Sequence, residues 1–139
     1  MGDRRWHEVI ENYYALVRRS IERFRGVEVS TEGDGFIARF DGPARAVSCA
    51  RAIREGAQGL GIEVRAGVHT GEIEIHGDEI SGLTVHIGAR VVAHADGSEV
   101  LVSRTVKDLV VGSGIEFSDR GTHELKGVPD TWQLYALAG

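Results

Sequence analysis

The spacing of hydrophobic residues near the start of the chain predicts an amphipathic helix followed by a β-hairpin. Apolar side chains recur every three or four positions over residues 6–24, and Gly26 is expected to end the helix. Hydrophobic and polar residues then alternate over residues 27–40, on both sides of a turn signal at 33–35. This pattern predicts a hairpin with Asp34 at its tip.

Similar patterns along the rest of the chain predict an α+β fold. The helix breakers Gly42 and Pro43 are expected to open a second helix, and a third helix is predicted over residues 81–95 with an apolar stripe of Leu83, Ile87 and Val91. Other predicted elements are strands at 62–69, around 73–75 and at 100–102, a short helix at 103–110, and strand-like segments in 115–137. Helices that alternate with antiparallel pairs predict one layered sheet covered by helices.

Composition and charge narrow the possible functions. The 139 residues and 15.1 kDa fit a single domain, 1–139, and the formal charge of −5 argues against a protein that mainly binds the DNA or RNA backbone. The lone cysteine, Cys49, excludes an intrachain disulfide and a cysteine zinc site, and predicts a reduced, cytoplasmic chain. No apolar run approaches the roughly 20 residues that a membrane span needs.

Three places in the sequence carry candidate chemistry, and each has a structural alternative. Asp34 between two glycines is a candidate Mg²⁺ ligand or an ordinary hairpin turn. His86 and Arg90 lie one helical turn apart, where Arg90 could bind a phosphate or belong to a solvated polar face. The two glycines of segment 65–72 indicate a close backbone approach or a bulge, and His69 between them is a packed strand residue or a ligand.

Taken together, four ordered stretches resemble the catalytic domain of the class III nucleotidyl cyclases, in particular the actinobacterial adenylate cyclase-like type. The stretches are Glu-Gly-Asp-Gly-Phe-Ile-Ala-Arg-Phe-Asp-Gly-Pro-Ala-Arg-Ala (32–46), Arg-Ala-Gly-Val-His-Thr-Gly-Glu (65–72), Gly-Leu-Thr-Val-His-Ile-Gly-Ala-Arg-Val (82–91) and Arg-Gly-Thr-His-Glu-Leu-Lys-Gly-Val-Pro (120–129). The resemblance implies a ferredoxin-like βαββαβ-derived fold with a mostly antiparallel sheet. It also implies a head-to-tail homodimer with active sites at the interface.

The resemblance also implies roles for individual residues. Asp34 matches one of the two aspartates that hold the two Mg²⁺ or Mn²⁺ ions beside the nucleoside triphosphate. Arg90 matches the arginine that stabilises the transition state, and His86 stands where the family has an asparagine. Lys126, which could otherwise be simply exposed, matches a lysine that contacts phosphates.

Other positions depart from the family pattern. Ser30 and Glu79 stand where adenylate cyclases have the lysine and aspartate that read the purine base, so ATP is expected to be favoured over GTP only imperfectly. The first strand of the family, which carries the second metal aspartate, is absent from this sequence. We therefore expect an N-terminally truncated domain whose own activity is weak or absent.

These observations leave two main hypotheses. In the first, the domain converts ATP to 3′,5′-cyclic AMP and pyrophosphate in cyclic-nucleotide signalling. In the second, it is a degenerate cyclase-like module that dimerises or binds nucleotide without turnover. An unrelated nucleic-acid binder would need a basic face and a cluster of aromatic residues on its strands, and the sequence contains neither.

Overall fold

The elements of the chain follow from a computed structural model that describes residues 2–32, 35–77 and 79–139. Asp34, the predicted tip of the hairpin, lies outside those ranges. Along the described residues the helices and strands are, in order, α1 (Asp3–Arg23), β1 (Val27–Glu32), β2 (Gly35–Arg39), α2 (Pro43–Gly59), β3 (Arg65–Val68), β4 (Glu74–His76), β5 (Glu79–Ser81), α3 (Leu83–Val92), β6 (Glu99–Ser103), α4 (Arg104–Leu109), β7 (Phe117–Glu124) and β8 (Thr131–Leu137).

The strands of the described residues form one four-stranded sheet and two separate hairpins. The sheet has the order β3-β6-β8-β7, with β3 parallel to β6 and the other neighbours antiparallel. The hairpins β1–β2 and β4–β5 are antiparallel. The predicted α+β class with mostly antiparallel pairing is therefore confirmed. Within the described ranges no ladder of hydrogen bonds joins β2 to β3.

A layer formed by α1 and α2 covers both the first hairpin and the four-stranded sheet. Tyr13, Val17 and Ile21 of α1 pack with α2 and with aromatic residues of the hairpin segment, which include Phe36. Near the start of α2, Val47 is fully buried in a cluster that contains residues of β3 and β6. Burial of this apolar stripe, more than intrinsic propensity, stabilises helices of such length. The layer holds the hairpin and the larger sheet together although the two share no ladder.

The third helix differs from its prediction. It spans Leu83–Val92 rather than residues 81–95. It starts later because residues 79–81 form β5, a strand that the sequence pattern did not predict, and it ends earlier because the residues after Val92 form a turn. Ile87 and Val91 are buried as expected, whereas Leu83 is 57% exposed, so the prediction of a buried Leu83 is wrong. Leu83 is the first residue of the helix, and burial begins only one turn later. None of the helices in the described part of the chain is both long and apolar enough to cross a membrane.

Helix α3 lies directly on β3 and on the residues that follow it. Three residues on the strand side, two positions apart, each face one residue of the helix side, and those facing residues are four positions apart. Two strand residues span about 6.6 Å and four helix residues about 6.0 Å, so the two repeats nearly match and the helix runs antiparallel to the strand. We name this the glycine contact; its pairs are Gly67 with Val92, His69 with Gly88, and Gly71 with Thr84.

Glycine is required at Gly67, where the backbones of strand and helix approach closely. A Cβ on Gly67 would lie 2.6 Å from the backbone nitrogen of Val92, whereas one on Gly71 would lie 2.5 Å from a side-chain atom, Oγ1 of Thr84. Of the two sequence-based interpretations, the close backbone approach is confirmed at Gly67. The contact fixes the helix that carries His86 and Arg90 against the sheet.

Candidate functional site

Helix α3 carries the predicted phosphate ligand, Arg90, in a half-buried position at its last turn. The Nε atom of Arg90 is buried and has no hydrogen-bond partner among the described residues. A buried, unpaired guanidinium donor costs free energy, of the order of 1–3 kcal/mol for an unsatisfied polar group. An anion or other acceptor at this position would remove that penalty, which agrees with the expected phosphate-binding role.

One turn earlier on α3, His86 contacts the loop between β7 and β8. Its Nε2 atom lies 3.0 Å from the carbonyl oxygen of Lys126. The side chain of Lys126 is exposed, and the loop lines a cavity of about 690 Å³ that extends from Glu124 to Thr131. The structure therefore brings His86 and Lys126, two of the predicted site residues, into direct contact.

His69, at the end of β3, is a packed and hydrogen-bonded residue. Its Nδ1 atom lies 2.6 Å from Oγ of Ser103, and its ring makes an edge-on contact with Trp132 at 5.5 Å between ring centroids. Ser103 Oγ also accepts a hydrogen bond from the backbone N–H of Val106 at 3.5 Å, so its own proton is free for the imidazole. Burial lowers the pKa of His69, which favours the neutral ring.

The two positions expected to read the base lie on strands that touch each other. Ser30 is half-buried in β1, paired with Ile37, while Glu79 is exposed at the start of β5, paired with His76. Strand β1 contacts β5, so the two strands that carry these residues are neighbours. Which purine they select stays a prediction.

The metal site expected at Asp34 falls on a residue outside the described ranges. Within residues 2–32, 35–77 and 79–139 no group of three or more His, Cys, Asp or Glu side chains could hold a metal ion. The described side chains therefore do not by themselves fit the expected Mg²⁺ or Mn²⁺ site.

Comparison with solved structures places the fold among cyclase catalytic domains. A Silicibacter pomeroyi structure titled adenylate/guanylate cyclase/hydrolase superposes with a TM-score of 0.83 at 26% identity, covering 89% of this chain and 77% of that one. The adenylyl cyclase CyaB of P. aeruginosa superposes with a TM-score of 0.81 at 19% identity, covering 100% of this chain and 85% of that one. The fold is that of a class III cyclase catalytic domain.

The sequence shows the same relationship. A Rhizobium meliloti protein named as a candidate adenylate cyclase is 29% identical over 133 residues, which is 89% of this chain and 22% of that protein. The model of the adenylate and guanylate cyclase catalytic domain matches residues 4–139. The chain belongs to this family, as its four motifs predicted. It spans about a fifth of the length of the Rhizobium relative.

Proposed function

We propose that this domain converts ATP to 3′,5′-cyclic AMP and pyrophosphate. The observation that carries the proposal is the surface of α3, where a buried and unpaired Arg90 Nε lies one turn from a histidine bonded to the Lys126 loop. The guanidinium of Arg90 and the exposed ammonium of Lys126, on the loop that His86 contacts, are two cationic groups that suit a polyphosphate. Family membership supplies the reaction class.

The reaction requires positioning and charge stabilisation more than covalent chemistry. The 3′-oxygen of the ribose attacks the α-phosphorus and loses its proton, a new P–O bond closes the ring, and the bond to the bridging oxygen breaks to release pyrophosphate. Arg90 would stabilise negative charge on the α-phosphate as that bond forms. Lys126 would bind the outer phosphates through its exposed ammonium.

Base selection is proposed to involve Ser30 and Glu79. A serine hydroxyl can both donate and accept a hydrogen bond, whereas an ionised glutamate only accepts. This pair can accept from the exocyclic amine of adenine, but the serine rejects guanine weakly. We therefore propose ATP as the preferred substrate, with measurable use of GTP.

Metal, assembly and location complete the proposal. Asp34 is proposed to bind one Mg²⁺ or Mn²⁺ ion as part of a carboxylate set that the described residues do not complete. We propose a homodimer with sites at the interface, since a site split between chains would explain why the described residues of one chain hold no full ligand set. The proposed location is the cytoplasm.

The test is a cyclase assay with ATP and GTP, each with Mg²⁺ or Mn²⁺, on the longest native polypeptide that contains this chain. Arg90→Ala is expected to lower kcat by about 10²–10³, the usual cost of one charged transition-state contact. Arg19→Ala is the matched control, because Arg19 is an exposed arginine on α1.

Two outcomes would contradict the proposal. Equal activities of the Arg90 and Arg19 variants would remove Arg90 from the site. Tight triphosphate binding without cyclic product from any metal or nucleotide would instead support the degenerate, nucleotide-binding module.

A further inference from the structure

We infer that His86 is a positioning residue that fixes the Lys126 loop for triphosphate binding, rather than a hydrogen-bond donor to the nucleotide. The inference deepens the proposed function and rests on it. It begins with the contact between His86 Nε2 and the carbonyl oxygen of Lys126, 3.0 Å apart. This contact joins two segments that are 40 residues apart in the sequence.

The chemistry of the contact fixes the position of a proton. A backbone carbonyl only accepts hydrogen bonds, so the Nε2 atom of His86 must carry the hydrogen. The neutral ring with its proton on Nε2 and the fully protonated ring both satisfy this requirement. In the neutral ring Nδ1 is then only an acceptor. Neutral His86 therefore has no remaining N–H to replace the amide donor of the family's asparagine.

The loop is shaped to receive the imidazole. Gly127 has a positive φ of 80°, and a Cβ on it would lie 3.0 Å from Nε2 of His86. A side chain at this position would therefore be strained and would press on the ring. Both the backbone conformation and the free space at Gly127 favour the contact between ring and loop.

The loop that carries Lys126 is also held by an apolar contact with the core. Leu125 is 2% exposed and packs in a cluster with Ile87, the residue after His86. Lys126 is thus anchored by an apolar contact on one side and by a hydrogen bond from the imidazole on its own carbonyl. Its exposed side chain starts from a fixed Cα, which lowers the entropy lost when the ammonium binds an anion.

Two substitutions of His86 distinguish a role in positioning the Lys126 loop from a role as hydrogen-bond donor to the nucleotide. A glutamine places its amide nitrogen where imidazole has Nε2, and so can keep the bond to Lys126. An asparagine restores the family's residue, but its amide reaches only as far as Nδ1. If His86 positions the loop, His86→Asn should raise the KM for ATP about tenfold more than His86→Gln does, the factor expected for one hydrogen bond.

The link to Lys126 is tested with a double-mutant cycle. In a Lys126→Met background, changing His86 to Asn should weaken ATP binding by less than threefold further, because the two residues act as one unit. ATP affinity of the 139-residue chain, titrated with a fluorescent ATP analogue, gives a readout that does not need turnover. Nitrogen-15 NMR of the same chain should show the hydrogen of His86 on Nε2.

The possible outcomes are distinct. Four outcomes would overturn the inference while leaving the proposed cyclase reaction intact. In the kinetics these are a higher KM for His86→Gln than for His86→Asn, or equal increases of KM in both. In the other measurements they are additive losses of ATP affinity with Lys126→Met, or a neutral His86 ring protonated on Nδ1. Failure of the unmodified chain and of the longest native polypeptide to bind ATP would overturn the proposed function, and this inference with it.

Discussion

His69 receives contacts from three different parts of the fold. The hydroxyl of Ser103 lies against its Nδ1, the ring of Trp132 lies at its edge, and Gly88 of α3 lies over its Cβ. Burial lowers the pKa of the imidazole below the ordinary value of 6.5. The folded state therefore favours the neutral ring more strongly than the unfolded state does.

This difference predicts a pH dependence of stability. Above pH 6.5 both states hold the neutral ring and the contribution is fully present; as the pH falls below that value, the unfolded chain binds the proton first and the contribution is lost. The urea midpoint should therefore fall more between about pH 7.5 and 5.5 for the native chain than for His69→Gln.

The matched control is His7→Gln, because His7 is exposed on α1. It should show the same pH dependence as the native chain. If His69→Gln and the native chain lose stability equally on acidification, the lowered pKa of His69 makes no contribution to the pH dependence of folding.

The candidate site residues could be proposed from the sequence, but their partners could not. Arg90 and Lys126 were proposed as phosphate ligands from the resemblance of their motifs, and cationic side chains suit that role. The bond between His69 and Ser103 joins residues 34 positions apart, and that between His86 and Lys126 joins residues 40 apart. Nothing in the local pattern marks such pairs, since they form only when the sheet and α3 are assembled.

At the scale of elements, the glycine contact is the closest approach between a helix and the sheet among the glycines described. At Gly67 the obstacle is backbone, the nitrogen and Cα of Val92, rather than the flexible end of a side chain. Because backbone cannot rotate away as a side chain can, a methyl group at Gly67 must either displace α3 or remain in steric overlap with it.

We predict that Gly67→Ala lowers the free energy of unfolding by about 1–3 kcal/mol, as overpacking of a core usually does. Urea denaturation at neutral pH measures the change. Gly112→Ala is the control, since a Cβ there meets nothing within 4 Å. Similar stability of the two variants would show that α3 can shift without cost.

The sequence predicted the type of most helices and strands better than it predicted where they begin and end. The hairpin, the four helices and the strands near 65–68 and 99–103 all follow from apolar periodicity. Strand β5 was missed, because its three residues are too few to show an alternating pattern. The same omission extended the third helix toward Ser81 and placed Leu83 in the core, where it does not lie.

At the scale of the whole molecule, one helical layer covers the hairpin β1–β2 and the four-stranded sheet, which are separate sheets. Among the described residues no ladder joins β2 to β3, so each of these strands keeps an edge without a described partner. Unpaired edges of this kind bind further strands readily.

We predict that the 139-residue chain associates with itself at micromolar concentration, because a second copy can pair with these edges. Sedimentation velocity between about 1 and 100 μM should show dimers or larger species. A monomer throughout this range, with cooperative unfolding, would contradict the prediction.

We also predict that the 139-residue chain makes little or no cyclic nucleotide, while a chain extended by a strand with a second metal aspartate is active. The physical reason is that the described residues hold no complete metal site. Cyclic AMP formed by the two polypeptides at equal concentration measures the difference. Robust activity of the short chain would contradict the prediction.

The glycine contact also determines where this domain can tolerate changes in length. The position of α3 along the sheet is set by three facing pairs of residues, and not by the length of the arm formed by β4 and β5. Sliding the helix by one residue would replace Gly88 over His69 with a residue that carries a side chain. The arm can therefore accept insertions beside exposed Gly77 while Arg90 keeps its place, as long as β5 and its proposed base-selecting residue Glu79 are left intact.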